Sequence, residues 1–198
     1  MFGSYEQDNH TADGKEDVEW IVLAREGDRI LVISRYALDC QPYNATNTDV
    51  TWETCSLRDW LNGTFLNAAF SAEERGMIPT VTVSADRNPR HSTSPGNATQ
   101  DQVFLLSITE ANEYFSSDTA RQCRGTAYCY AQGAYQNDDG NCSWWLRSPG
   151  EDSNHAARFA CNSWISRSDG YVDDYGSYVY YDYAVRPALW IDLGSCIF

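Results

Sequence analysis

Hydrophobic and polar positions follow patterns that predict short strands over the first part of the chain. Residues 19–24 (EWIVLA) and 29–34 (RILVIS) are apolar, β-branched runs, and the polar stretch REGD separates them. Two such runs around a short, glycine-containing connection predict a β-hairpin. Residues 80–84 (TVTVS) alternate and residues 103–106 (VFLL) are apolar, so each stretch predicts a further strand.

Helical patterns between these strands begin at serines. Ser56, Ser71 and Ser107 each stand three residues before an acidic side chain, which is the spacing of a capping box, and a short helix is predicted after each. The first helix is expected to be interrupted at Asn62 and Gly63. Residues 86–101 are polar, with two prolines and one glycine, and predict a long surface loop. These elements together predict an α+β domain with short helices.

The last third of the chain has a different character. Residues 144–150 (WWLRSPG) and 184–191 (AVRPALWI) predict two apolar strands. Between them a single apolar residue recurs every six or seven positions, at Phe159, Ile165, Val172, Val179 and Val185. One apolar residue in seven makes no helical seam. The segment therefore predicts short strands, each with one inward anchor, joined by tight turns at Gly170 and Gly176.

Tyrosine dominates the positions between these anchors. Six of the thirteen tyrosines lie between Tyr171 and Tyr183, among Ser, Asp, Asn and Arg. This is the composition of antibody binding loops, in which Tyr supplies stiff, amphipathic contact area. Exposed aromatic patches usually mark interfaces, and the alternative is a tyrosine-rich sheet surface with cross-strand aromatic pairs. We expect an exposed binding face whose ligand-binding residues are Arg158, Ala160, Asn162, Ser166, Arg167, Ser168, Asp169, Tyr171, Asp173, Asp174, Tyr175, Ser177, Tyr178, Tyr180, Tyr181, Asp182 and Tyr183.

The net charge of the chain argues against two classes of binding partner. Its 28 acidic and 14 basic side chains give a formal net charge of -14, which disfavours nucleic acid and anionic membrane surfaces. The sequence contains no apolar run of about 18 residues, so no membrane insertion is expected. The first residues lack the basic-then-apolar pattern of a signal peptide, and any leader or anchor is expected to lie outside this chain.

Seven cysteines are scattered along the chain without a CxxC pair. This pattern argues against a zinc knuckle or a thioredoxin-like site. Since an odd number of cysteines cannot pair fully within one chain, mostly buried and reduced thiols are expected. Cys40 and Cys55 are the pair to test first for a disulfide.

Four stretches carry a resemblance to a known family: residues 51–65 (TWETCSLRDWLNGTF), 103–115 (VFLLSITEANEYF), 141–150 (NCSWWLRSPG) and 184–193 (AVRPALWIDL). They resemble a bacterial family of C-type-lectin-like domains, over essentially the whole chain. The resemblance implies a single domain over residues 1–198, with short helices packed on a small twisted antiparallel sheet. It also implies a scaffold at 1–157 and 184–198 and a variable ligand-binding face at 158–183.

Members of this group include variable proteins of diversity-generating retroelements, in which an error-prone reverse transcriptase mutates template adenines. The resemblance implies a non-catalytic, hypervariable binding protein without a cofactor. The resemblance also implies that the protein is displayed on a cell surface or a virion. Its ligand would then be a protein or a carbohydrate on another cell or surface. Phe159, Ile165, Gly170, Val172, Gly176 and Val179 match the fixed scaffold of the family.

The residues between these scaffold positions match the variable positions. Apart from Trp164, they contain no Lys, Glu, Gln, Met or Trp, the types that cannot arise when the two adenines of an Asn codon change. Ser163 and Trp164 depart from the pattern. Trp164 is therefore either a fixed residue or evidence against diversification.

An enzymatic function is one alternative. Formylglycine-generating enzymes share this fold in a broad sense and use two nearby cysteines, for which Cys123 and Cys129 are the candidates. However, these two cysteines precede the WWLRSPG strand, and their spacing differs from the enzyme pattern. His10, His91 and His155 lie in polar segments and offer no persuasive Ser/His/Asp set. We therefore expect no catalysis.

Calcium-dependent sugar binding is the other alternative. Residues 137–141 (NDDGN) carry oxygen ligands suited to a hard cation, but such a sequence is more often a plain turn, and no metal ligand is assigned. Arg147 and Arg186 lie on the two aromatic strands. Both are expected to be partly buried and bonded to carboxylate or carbonyl groups.

Overall fold

Short strands and short helices are interspersed along the chain in the computed structural model, which describes residues 2–161 and 170–195. The strands are β1 (Ser4–Tyr5), β2 (Glu16–Asp17), β3 (Trp20–Glu26), β4 (Arg29–Ser34), β5 (Asp39–Pro42), β6 (Val81–Val83), β7 (Thr99–Asp101), β8 (Val103–Phe104), β9 (Trp144–Pro149), β10 (His155–Ala160), β11 (Tyr171–Tyr178), β12 (Asp182–Val185) and β13 (Ala188–Asp192). The helices are α1 (Ser56–Trp60), α2 (Leu66–Ala69), α3 (Ala72–Gly76), α4 (Ile108–Tyr114), α5 (Asp118–Arg121) and α6 (Ala127–Ala131). A π-helical turn (Leu61–Phe65) joins α1 to α2, and a 3₁₀ turn (Leu193–Ser195) follows β13.

Two larger sheets organise these elements. The first has the strand order β11-β10-β9-β12-β5, and its neighbours are antiparallel except for the parallel pair β9 and β12. The second has the order β3-β4-β13-β8 and is antiparallel throughout. Two ribbons, β1-β2 and β6-β7, complete the strands of the described residues. The expected α+β class is confirmed.

One hydrophobic cluster connects the two larger sheets with the helices. It includes Trp144 and Phe159 from the first sheet, Ile33 and Leu189 from the second, and Leu61 from the π-helical turn, all fully buried. Burial of each large apolar side chain contributes roughly 1.5–3 kcal/mol. The cluster therefore fixes the first sheet, which carries the predicted binding face, to the rest of the molecule.

Several local predictions are confirmed. The two apolar runs near the N-terminus form the antiparallel pair β3 and β4. At Ser71 and Ser107 the hydroxyl accepts a hydrogen bond from the backbone N–H of Glu74 or Glu110, and the glutamate carboxylate accepts one from the serine N–H. Both predicted capping boxes are therefore present. The strands predicted at 80–84, 103–106 and 144–150 correspond to β6, β8 and β9.

The prediction for the first helix is wrong in two details. Ser56 does not cap it, because Cys55 occupies the N-cap position and the Ser56 hydroxyl accepts from the Ala45 N–H. Asn62 and Gly63 do not interrupt it, since the chain continues through the π-helical turn. The Asn62 carboxamide donates to the carbonyl of Val103 and accepts from its N–H. These long-range bonds keep the turn helical.

The C-terminal prediction needs two corrections. Residues 184–191 form two strands, because Pro187 has no N–H for a ladder and its carbonyl accepts from Ser34 instead. Gly170 lies in a turn, as expected, but Gly176 lies inside β11, opposite a bulged register with β10. Its φ of +78° favours glycine.

The expected inward anchors are confirmed in part. Phe159, Val179 and Val185 are buried. Val172 is only half-buried, although it packs against the core cluster. Ile165 lies outside the described residues.

Candidate ligand-binding face

Three exposed tyrosines meet at the connection between β11 and β12. Tyr178, Tyr180 and Tyr181 are 39%, 40% and 44% exposed. Their ring centroids lie 4.7–5.7 Å apart. The imidazole of His155 packs against Tyr178 at 4.3 Å. We refer to Tyr178, Tyr180 and Tyr181 as the tyrosine cluster.

The backbone beneath the tyrosine cluster is held by buried and long-range contacts. Val179 lies between two of the tyrosines and is fully buried. Its N–H donates to the carbonyl of Asn154 at 3.0 Å, and its carbonyl accepts from the N–H of Asn44 at 2.8 Å. The turn is closed by a bond from the Tyr181 N–H to the Tyr178 carbonyl. The rings are thus presented to solvent on a fixed backbone.

The phenol of Tyr180 is neutral near pH 7. A hydrogen bond with Tyr181 raises the pKa of the Tyr180 phenol above its ordinary value of 10.0. The adjacent Asp182 is exposed and supplies a carboxylate at the edge of the cluster. The surface therefore combines aromatic area, hydroxyl donors and one acidic group, which suits contacts with proteins and sugars alike.

A second exposed ring lies further along β11. Tyr175 is 52% exposed, and its ring is 4.9 Å from the imidazole of His91. The adjacent Gly176 allows close backbone approach, because a Cβ there would lie 2.4 Å from the carbonyl oxygen of Ala156. The bulge thus fixes the direction in which Tyr175 points.

Arg158 forms the centre of a buried polar network on the same sheet. It is 7% exposed, and its guanidinium lies 3.0 Å from the carboxylate of Asp173. It also donates to the hydroxyls of Ser177 at 2.9 Å and Ser143 at 3.2 Å. The Tyr183 ring covers the guanidinium at 4.7 Å. These contacts satisfy Arg158 within the chain.

The predicted site residues divide into four groups. The exposed ones are Tyr175, Tyr178, Tyr180, Tyr181 and Asp182. The half-buried ones are Tyr171, Asp173, Ser177 and Tyr183. The predictions that fall outside the described residues are Asn162, Ser166, Arg167, Ser168 and Asp169.

The expected exposure is wrong for Arg158, Ala160 and Asp174, which are buried. Arg158 and Ala160 belong to β10, which lies between β9 and β11 and has both faces covered. Asp174 pairs with Arg90 at 2.9 Å. These three side chains are therefore not available to a ligand in this structure.

Residues 27–193 match a family model described as Domain of unknown function (DUF6273). The chain belongs to the DUF6273 family. The matched range contains the tyrosine cluster, the Arg158 network and most of both larger sheets. No curated protein and no solved structure matches the chain.

Sequence reasoning missed two residues of this DUF6273 chain that contact the exposed rings. His91 and His155 were expected only in polar segments, yet each imidazole packs against a tyrosine of β11. For His155, β-strand pairing with Tyr178 explains the contact. For His91, the partner is distant in sequence, and no local pattern predicts it.

The cysteine prediction is confirmed for the residues described. Cys40, Cys55, Cys123, Cys129, Cys142 and Cys161 are buried and free. Cys40 and Cys55 are thus not bridged. Burial raises the pKa of both thiols to about 12, so they are protonated and unreactive near neutral pH.

The cysteines considered for catalysis have different environments. The Cys129 thiol lies 3.1 Å from the carbonyl oxygen of Asp39, and burial raises its pKa. Burial also opposes ionisation of Cys123, but a hydrogen bond from Cys142 and the charge of Arg186 outweigh it and lower the pKa of Cys123. The Cys123 thiol is therefore easier to ionise than the Cys129 thiol.

The loop at residues 137–141 is closed by its own side chain. The Asn137 carboxamide oxygen accepts from the N–H groups of Asp139 and Asn141 at 3.1 and 2.8 Å. Gly140 adopts a φ of +78°. This geometry is that of a turn.

The helices of the described residues are all too short or too polar to span a lipid bilayer.

Proposed function

We propose that this chain is a non-catalytic binding protein of C-type-lectin-like architecture, which contacts a protein or carbohydrate ligand on another cell or surface. Contact is made through the tyrosine cluster, Tyr175 and Asp182. The half-buried Tyr171, Asp173, Ser177 and Tyr183 form the edge of the contact area.

The observation that carries this proposal is the combination of exposed rings with a fixed backbone. Folding does not require the three tyrosines to share one solvent-exposed turn, since the buried Val179 already anchors it. Large aromatic side chains on a rigid backbone lose little entropy when they bind. Exposed aromatic groups of this kind concentrate binding energy.

We further propose that this surface is diversified, as the resemblance to variable proteins of diversity-generating retroelements implies. Surface substitutions usually change stability by less than about 0.5 kcal/mol. The exposed tyrosines can therefore change without loss of the fold. Arg158, Ala160 and Asp174 are buried, so we expect them to vary much less.

Binding can be tested with a labelled protein applied to a printed array of carbohydrates and to intact bacterial cells. The test variant combines Tyr178→Ser, Tyr180→Ser and Tyr181→Ser. The matched control is Tyr135→Ser, because Tyr135 is 55% exposed and lies outside the face. We expect the triple variant to lose at least tenfold in binding while the control binds like the wild type.

The outcome that contradicts the proposal is equal binding by the wild type and the triple variant. A wild type that binds neither the array nor the cells, or a control that loses as much as the triple variant, would also contradict it. Thermal unfolding of each variant establishes that a loss of binding is not a loss of fold.

A further inference from the structure

A second site lies away from the tyrosine cluster. A cavity of about 490 Å³ is bounded by Ile21 of β3, by Arg35 and Tyr36 after β4, and by Thr119 and other residues of and after α5. Cavities of this volume hold metabolite-sized molecules. None of the residues predicted for the binding face is among the described residues that line this cavity. The cavity is therefore a separate site.

Three arginines line this cavity in a chain that is strongly acidic overall. They are Arg35, Arg124 and Arg186. Arg35 is paired with Glu19 at 2.8 Å. Arg124 is exposed, and within the described residues its guanidinium forms no ion pair. Asp139 supplies a carboxylate at the same cavity.

Arg186 provides the decisive observation. It is 1% exposed, and its guanidinium is held against the rings of Trp144 at 5.0 Å and Phe115 at 5.4 Å. Its Nε donates to the carbonyl of Ser34 at 2.8 Å. Its Nη1 has no hydrogen-bond partner in the part of the chain that the structure describes. A buried charged donor without a partner is unfavourable. Since Arg186 lines the cavity, an acceptor bound there is positioned to supply the missing partner.

The chemistry of these groups selects an oxyanion. Guanidinium groups present paired N–H donors that match carboxylate and phosphate oxygens. Thr119 and Asn141 add neutral hydrogen-bonding groups to the lining. We propose that this cavity binds a small polar acid, whose carboxylate or phosphate group is held by Arg186 and Arg124.

Cys123 lines the same cavity as Arg186. Burial raises the pKa of the Cys123 thiol, but a hydrogen bond from Cys142 and the charge of Arg186 outweigh this and lower it. The charge of Arg186 thus favours a negative group at this cavity, as an oxyanion site requires.

The proposal can be tested by an NMR titration of the ¹⁵N-labelled full chain at constant ionic strength. Inorganic phosphate and acetate are the two probes, and they distinguish a phosphate site from a carboxylate site. The Arg186 Nε–Hε signal is the readout, because its hydrogen bond to Ser34 fixes its position. We expect a saturable shift with at least one probe.

Four variants identify the residues responsible. Arg124→Gln is expected to weaken binding about tenfold, the loss for one charge-assisted hydrogen bond. Asp139→Asn is expected to tighten binding, because it removes a negative charge from the lining. The matched controls Arg87→Gln and Asp49→Asn change the same charges at exposed positions outside the cavity. Both controls are expected to bind within twofold of the wild type.

Two results would overturn the proposal. The first is the absence of a saturable shift with both phosphate and acetate. The second is an equal change in affinity for each cavity variant and its control, which would show that only net charge matters. Because Arg124 and Asp139 are exposed, their variants are expected to fold, and thermal unfolding checks this.

Discussion

Replacement of Arg158 tests whether the interior of the predicted face is structural. Arg158→Ala removes the ion pair with Asp173 and the hydrogen bonds to Ser177 and Ser143. It also uncovers the ring of Tyr183. The variant leaves the Asp173 carboxylate without its cation. Because that side chain is only 14% exposed, water cannot fully replace the lost partner.

The magnitude follows from the burial of the pair. Breaking a buried ion pair by removing one partner costs about 3–5 kcal/mol, since an uncompensated charge remains. Asp173 keeps some contact with solvent, so we expect a loss at the lower end, about 3 kcal/mol. With a urea m-value of about 2 kcal/mol/M, the unfolding midpoint should fall by about 1.5 M.

The assay is urea unfolding followed by tryptophan fluorescence. Arg35→Ala is the matched control, because Arg35 and Glu19 are both at least half exposed, and such a pair is worth about 0–1 kcal/mol. The double variant Arg158→Ala with Asp173→Ala should be more stable than Arg158→Ala alone, because the unpaired carboxylate is gone. If Arg158→Ala costs no more than the control, then Arg158 is a freely replaceable surface residue and the reasoning fails.

Three further predictions concern the scaffold. Gly176→Ala should lower the free energy of unfolding by about 3 kcal/mol, because its Cβ would lie 2.4 Å from a backbone oxygen. The control Gly27→Ala, at a φ of +60° but with open space around the Cβ, should lower it by only about 1 kcal/mol. Equal losses in urea unfolding would disprove the close approach. Ser71→Ala should cost about 1 kcal/mol through loss of the capping box, and no change in the unfolding midpoint would contradict this. Burial raises the pKa of Asp39 above 3.8, and hydrogen bonds such as that from Tyr5 offset this only in part. The folded state therefore holds the proton more tightly, so the contribution of Asp39 to stability is full below about pH 3.8 and is lost as the pH rises through the folded pKa. Relative to the wild type, Asp39→Asn should therefore gain stability as the pH rises from 4 to 7. If urea unfolding shows a stability difference between variant and wild type that is constant over this range or falls, the prediction is wrong.

Local signals in the sequence predicted much of the fold. The β3-β4 hairpin and the capping boxes at Ser71 and Ser107 depend on interactions between residues close in the chain. Such interactions leave a pattern that can be read directly. The helix through Asn62 was missed because its bonds reach Val103, about forty residues away. Local propensity is weaker than such tertiary contacts.

The candidate face was predicted only in part, for a related reason. An alternation of anchors and variable residues implies one buried and one exposed side of each strand. That holds in part at the edge strand β11, where Tyr175 and Tyr178 are exposed but Asp174 is buried. It fails in β10, where both faces are covered and every side chain after His155 is buried. The positions of Arg158 and Ala160 depend on sheet order, which the local sequence does not encode.

Arg147 and Arg186 also show what the local sequence cannot predict. Arg147 is satisfied by Glu110 and by the carbonyl of Leu105, as expected for a buried arginine. Arg186 also donates to a carbonyl, that of Ser34, as expected, but its Nη1 has no partner among the described residues. Only the tertiary structure distinguishes these two side chains, and that difference carries the proposal of an oxyanion site.

The central claim is that buried anchors hold a backbone whose exposed side chains are free to change. It is tested most directly by sequencing many independent copies of this gene from one natural population. We predict amino-acid replacements at Tyr175, Tyr178, Tyr180 and Tyr181, with Val179 identical in all copies. Identical sequences at the four tyrosines, or replacements spread evenly over exposed and buried positions, would contradict the claim.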